Sequence, residues 1–201
     1  MDTIVCPIDF SEASRHAATY ALAIARYTRA RSIALHVCES AAATIHERLR
    51  NQFGTGQAPR PEIIAEVSGG EPAAVIAERA HAHDAKVVLG TRGDSGLRHL
   101  VLGSVTEQVV RTSPMPVFSA SPHAPSQANV PFERVLFATD FSASSLAALS
   151  AALRIGVHPA ADITVLHVID EADENALFVS HVYDVRHHTE ALETSVREIF
   201  P

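Results

Sequence analysis

Cysteine is nearly absent: the 201-residue chain holds two, Cys6 and Cys38, too few for a disulfide scaffold. Each falls inside a predicted strand, where a thiol behaves as a small hydrophobe. Basic residues are outnumbered, 16 Lys+Arg against 23 Asp+Glu, which leaves a formal charge of -7. That balance repels the phosphate backbone of a duplex, so no nucleic-acid partner is expected. No run of about 18 uncharged apolar residues occurs, so no membrane span is expected either. Met1-Asp2-Thr3 places an acid where a signal peptide carries a basic segment, and the expectation is a soluble, cytoplasmic chain. What the sequence does have is apolar material. Hydrophobic residues make up 47% and mean hydropathy is +0.10, enough for a packed core, which excludes wholesale disorder.

The most informative feature is internal. Residues 1–39 align without gaps onto 132–170 at a constant offset of 131, with 12 of the 39 positions identical. The identities include Asp9-Phe10-Ser11 over Asp140-Phe141-Ser142, Ser14 over Ser145, Ala21-Leu22 over Ala152-Leu153 and Leu35-His36-Val37 over Leu166-His167-Val168. Between the copies, residues 122–131 contain Pro122, Pro125 and Pro131 among polar or small residues and read as an extended linker. The domain reading is therefore a first unit over 1–121, a linker over 122–131 and an incomplete second repeat over 132–201.

In the first copy Thr3 to Ile8 is a short apolar, β-branched run. Ser11 is a candidate N-cap for a helix from about Glu12 to Arg29, with Ala17, Ala21, Ile24 and Ala25 on one stripe. Strands follow at Ser32–Cys38, Glu62–Val67, Lys86–Gly90 and Pro116–Ala120, with helices at about Ala41–Phe53, Pro72–His83 and Ser104–Thr112. Apolar strands alternating with helices predict an α/β fold with a five-stranded parallel sheet, helices on both faces. The second copy offers a strand at Arg134–Ala138, a helix at Ala143–Val157, a strand at Asp162–Ile169 and a long helix at about Glu174–Phe200. Counterparts of everything after residue 70 are missing from it, so the half-unit is expected to rest on the first domain or on another chain.

A parallel sheet binds ligands beyond the carboxyl ends of its strands. After the fourth strand come Gly90-Thr91-Arg92-Gly93, nine residues, then Gly103-Ser104-Val105-Thr106-Glu107. The glycines permit close backbone approach, and a helix opening at Gly103-Ser104 points free amides into the crevice, where an anion is welcome. Ser104 and Glu107 equally fit a Ser-x-x-Glu capping box, in which the helix caps itself and binds nothing. Asp9, beyond the first strand, is placed to accept hydrogen bonds from ribose hydroxyls or to cap the helix with Ser11. Val37 offers an apolar edge for a base or belongs to the core.

At these residues the chain resembles the universal stress proteins in their tandem form. That family's nucleotide signature, glycine, two residues, glycine, nine residues, glycine, then Ser or Thr, stands here as Gly90, Gly93, Gly103 and Ser104. Pro7-Ile8-Asp9, Leu35-His36-Val37 and Pro114-Met115-Pro116-Val117 support the resemblance. What it implies is ATP held by members that keep the glycine motif, and homodimers pairing through the last strand. Carried over, Asp9, with Pro7 and Ile8 beside it, holds ribose, and Val37 meets adenine. Gly90, Arg92, Gly93, Gly103, Ser104, Val105 and Thr106 surround the phosphates. The second copy keeps Asp140 and Val168 but has no phosphate loop, so one nucleotide site per chain is expected.

The other motifs carry less. Twelve histidines include His81-Ala82-His83 and His187-His188, but without metal-ligand spacing, so no metal site is expected beyond Mg2+ bridging ATP phosphates. The acidic run 170–174 reads as a solvated loop. His36 and His167 with Ser11 and Ser14 make a hydrolase only if a base meets a nucleophile, and no nucleophile elbow appears. The loop supplies His99 and Asp94 as neighbours for an attacking water, and Arg98 as a further cation. The leading expectation is therefore an ATP-binding stress-response regulator with no catalytic residue and an unidentified protein partner. A slow Mg2+-dependent ATP hydrolase and a nucleotide-free dimerisation module stand as alternatives.

Overall fold

The computed structural model describes residues 2–38, 42–53, 62–67, 70–91, 102–121, 123–125 and 128–168. The element order is β1 (Thr3–Pro7), α1 (Glu12–Thr28), β2 (Arg31–Cys38), α2 (Ala42–Phe53), β3 (Glu62–Val67), α3 (Pro72–Ala82), β4 (Ala85–Gly90), α4 (Ser104–Thr112) and β5 (Val117–Ala120), then β6 (Phe132–Ala138), α5 (Ala143–Gly156) and β7 (Val157–Leu166). The predicted helix at Glu174–Phe200 and the acidic run lie outside the described residues. The chain divides into two compact units, 1–132 with 151–159 and 133–150 with 160–201.

The first unit is a five-stranded parallel sheet in the order β3-β2-β1-β4-β5. Alternation along its strands feeds two separate cores. Ile4, Cys6, Ile8, Ala34 and Val88 pack with the small-residue stripe of α1 (Ala17, Ala21, Ile24, Ala25) and Leu49 of α2. Val5, Ile33, Leu35, Val87 and Leu89 pack with Ala73, Ile76 and Ala80 of α3 and Val109 of α4. Helices thus cover both faces, α1 and α2 on one and α3 and α4 on the other. Cys6 is fully enclosed, and burial pushes its thiol up to about 12, which leaves it an apolar core residue with no thiolate at neutral pH.

Helix α1 starts as its sequence dictates: Ser11 Oγ accepts the Ser14 amide at 3.1 Å, and Arg29 in the left-handed region ends the helix.

The second unit holds a two-stranded sheet of β6 and β7. Strand β7 begins at Val157, five residues before the predicted start at Asp162. Two residues account for this. Pro159 stands where α1 has Thr28 and cannot continue a helix, and Gly156, at φ 153, turns the chain directly into extended backbone with no loop. Leu136 is 64% exposed and Leu166 43%, whereas their counterparts Val5 and Leu35 are 0% and 1% exposed in the first copy. In the first copy Val5 and Leu35 share their core with residues of α3, β4 and α4.

Candidate functional site

The strand order makes the site. From β1 the chain crosses to β2 through α1 on one face; from β4 it crosses to β5 through α4 on the other. Neighbouring strands β1 and β4 therefore send their connections apart, which opens a crevice at their carboxyl ends. Asp9 stands at the β1 side of that crevice and the start of α4 at the β4 side.

On the β4 side one bond ties the strand end to β5 and two lock it to the helix start. The Thr91 amide donates to Ala120 O at 3.1 Å, the Gly103 amide to Thr91 O at 2.6 Å, and the Thr106 hydroxyl to Gly90 O at 2.8 Å. Gly103 is the N-cap, and the first helical bond runs from the Glu107 amide to Gly103 O at 2.8 Å. The amides of Ser104, Val105 and Thr106 precede that bond and have no helical acceptor. The capping-box alternative is not formed: Gly103 caps in place of Ser104 and makes no side-chain capping bond, while Glu107 turns to Arg111 at 3.0 Å. Ser104 and Val105 are exposed, as an anion-binding edge requires, whereas Thr106 is buried and its hydroxyl is committed to Gly90 O.

Gly90 is required by a contact whose partner the loop spacing did not reveal. A Cβ there would lie 2.6 Å from Ala13 O and 2.8 Å from Ala13 C, so the strand end is pressed against the first turn of α1. Gly90→Ala is expected to cost about 1–3 kcal/mol through this backbone clash. Thermal unfolding of the full chain checks it, and an unchanged midpoint contradicts the close approach. Gly103, at φ -72 and ψ 156, has an extended conformation open to any residue. Arg92, Gly93, Asp94, Arg98 and His99 lie outside the described residues.

On the β1 side the Ile8 amide extends the ladder to Leu35 O at 2.8 Å, and Pro7 and Ile8 lead into an exposed Asp9. Asp9 Oδ1 accepts the Ser11 amide at 2.9 Å. Partial burial pushes the carboxyl up, but the donors of Ser11 and Ser14 outweigh it and hold it below the usual carboxylate range. Asp9 is thus an anion at any pH where adenine nucleotides are bound in a cell. Its folded value lies below the unfolded one, so its contribution to stability is present above about 3.9, the unfolded value, and is lost only as pH falls through the lowered folded value. Val37, half-buried, pairs with Glu66 of β3 at the same end of the sheet.

Three further residues complete the β1 corner. Phe10 sits at φ 67, His36 Nδ1 bonds Ile8 O at 2.5 Å, and the Phe10 and His36 rings lie 4.9 Å apart. Arg48 lies over the Phe10 ring at 3.9 Å. His36 meets no nucleophile there: Ser14 Oγ donates to Ser11 O at 3.1 Å, and the Ser11 hydroxyl serves as the helix cap. Sequence reading missed the left-handed Phe10, since Phe carries no signal for it; the signal available was that Asp-Phe-Ser recurs whole in the second copy.

A sequence profile of the universal stress protein family matches residues 1–119 and 131–199. The chain belongs to the universal stress protein family. Comparison with curated proteins gave no match. Among solved structures, the chain is similar to universal stress protein UspA from Lactobacillus plantarum, at 27% identity and a TM-score of 0.52 over 59% of this chain and 96% of that one. It is also similar to a universal stress protein solved in complex with cAMP, at 28% identity and a TM-score of 0.50 over 60% and 96%. A universal stress protein from Archaeoglobus fulgidus DSM 4304 shares the fold over 96% of this chain and 74% of its own, at 23% identity and a TM-score of 0.59. Two profile matches in one chain make this a tandem universal stress protein whose second unit, among the described residues, holds a two-stranded sheet. Among the described residues no helix is long and apolar enough to cross a membrane, and no group of three or more His, Cys, Asp or Glu is gathered to hold a metal ion.

Proposed function

We propose that the first unit binds an adenine nucleotide, as ATP, in the crevice between β1 and β4, and that the protein regulates a partner through its occupancy. The observation that carries this reading is the pairing of opposite requirements across one crevice. Asp9, ionised, stands at its β1 side, and the first amides of α4, which have no acceptor within the helix, stand at its β4 side. A nucleotide has both complements: hydroxyls that donate to a carboxylate and phosphates that accept from amides. Val37, one strand further, supplies an apolar edge for the base, and the glycine signature is the one by which the family resemblance implies ATP. The structural relative with cAMP bound supports an adenine ligand at this fold.

The helix terminus contributes about 0.3–2 kcal/mol toward an anion, and each charge-assisted hydrogen bond about 1.5–3 kcal/mol. Less the entropy of ordering the ligand, this gives an affinity of roughly micromolar order. Mg2+, where present, would offset the charge of the nucleotide's phosphates. Strand β5 is an edge of the sheet and is the surface on which homodimer pairing would signal occupancy.

The Asp9 role has a direct test. Asp9→Ala is expected to raise the ATP dissociation constant about tenfold or more, since it deletes a charged acceptor, and to leave inorganic tripolyphosphate binding unchanged. Calorimetry with both ligands checks it; equal loss for the two removes ribose from the account.

A further inference from the structure

We propose that His36 is the positioning residue for the ribose end of this site: it grips the chain on both sides of Asp9 without touching Asp9 itself. The inference rests on the nucleotide reading above and deepens it. Ile8 O can only accept, so the ring nitrogen 2.5 Å from it must carry the proton, which makes the neutral His36 the Nδ1–H tautomer. The same ring packs on Phe10 at 4.9 Å with a 50° tilt. Residues 8 and 10 are thus both tied to one side chain of β2, and the residue between them is the carboxylate that faces the crevice.

The corner needs such a grip. Phe10 at φ 67 holds a conformation that is costly for a side chain with a Cβ, so the turn does not persist unless its surroundings fix it. Arg15 donates to Phe10 O and Arg48 lies over the Phe10 ring, but both are exposed; His36 is the half-buried member.

The second copy repeats the device contact for contact. His167 Nδ1 bonds Thr139 O at 2.8 Å, Phe141 stands at φ 59, and the rings of Phe141 and His167 are 5.1 Å apart with a 53° tilt. Asp140 Oδ1 accepts the Ser142 amide at 2.9 Å, and the Ser145 amide bonds Ser142 Oγ at 3.1 Å, as their counterparts do. These donors of Ser142 and Ser145 hold the Asp140 carboxyl at about 2. The five residues of the device, at 9, 10, 11, 14 and 36, are all among the 12 positions identical between the copies, although only 12 of 39 are. Residue 8 itself is not: it is Ile in one copy and Thr in the other, yet its carbonyl is gripped in both. The grip is therefore made to the backbone of the turn and is independent of the side chain carried there.

Two variants of the full chain separate the hydrogen bond from the ring. His36→Asn keeps an N–H near the Nδ1 position and loses the ring; His36→Phe keeps a ring and loses the donor. Calorimetry with ATP and with inorganic tripolyphosphate is expected to show His36→Phe weakening ATP about tenfold with tripolyphosphate unchanged, and His36→Asn restoring most of the ATP affinity. A lowered melting temperature with both affinities unchanged, or equal weakening of both, overturns the positioning role and leaves the nucleotide site standing. A wild-type chain that binds neither ATP nor AMP overturns the nucleotide reading, and the positioning role with it. Ring 15N shifts of wild-type His36 test the same contact without a variant: protonated Nδ1 and bare Nε2 are expected in the neutral ring, and the opposite tautomer overturns the proposal even if His36→Phe fails to fold.

Discussion

Gly103→Val is expected to abolish nucleotide binding while leaving the fold intact, with the dissociation constant rising at least about a hundredfold through loss of two charge-assisted bonds. The two halves of that result have separate causes. At φ -72 and ψ 156 the N-cap of α4 adopts a conformation that β-branched residues favour, so a valine there introduces no backbone strain. A side chain immediately before Ser104 and Val105, however, occupies the space through which a phosphate reaches their amides. Calorimetry beside circular dichroism reads both halves. Wild-type affinity in a folded Gly103→Val chain contradicts phosphate approach at this helix end.

The duplication supplies an internal control for the second large effect. Leu35 and Leu166 occupy equivalent positions, one 1% and the other 43% exposed. Leu35→Ala is expected to cost about 2–5 kcal/mol, because it opens a cavity among Ala73, Ile76, Val87 and Leu89. Leu166→Ala removes a side chain already half in water and costs under about 1 kcal/mol. Hydrogen exchange resolved along the chain reads β1 and β2 separately from β6 and β7. Equal losses in the two places contradict the difference in burial between the copies.

Much of this architecture is written in local patterns. The α1 stripe, Ser11 as cap, Pro72 at the first turn of α3 and the apolar β-branched strands each state their element, and the structure places them within one or two residues of the expected ends. The early start of β7 depended on Pro159 and Gly156 acting together, which neither residue announces alone. At the site, the glycine spacing implied close backbone approach at Gly90 but not its partner: Ala13 lies 77 residues earlier, and a tertiary contact of that kind has no periodicity to read. The capping box failed for a related reason. Ser104 and Glu107 have the right spacing, but the chain enters the helix one residue earlier, with the Gly103 amide held by Thr91, so the pair is out of phase with the true cap. The positions of Asp9 and Val37 at strand ends follow from the parallel topology, which also dictates where a crevice must fall. Phe10 and His36 were legible only through comparison of the two copies.

The account stands on amides at the start of α4 and a carboxylate at the end of β1 sharing one ligand. Titrating ATP into the 15N-labelled full chain and following its amide resonances tests that most directly. The account predicts that Ser104, Val105 and Thr106 move together with Asp9 and Val37, saturating at one nucleotide per chain. Saturating ATP that leaves these five resonances in place, whether it moves others or none, contradicts it.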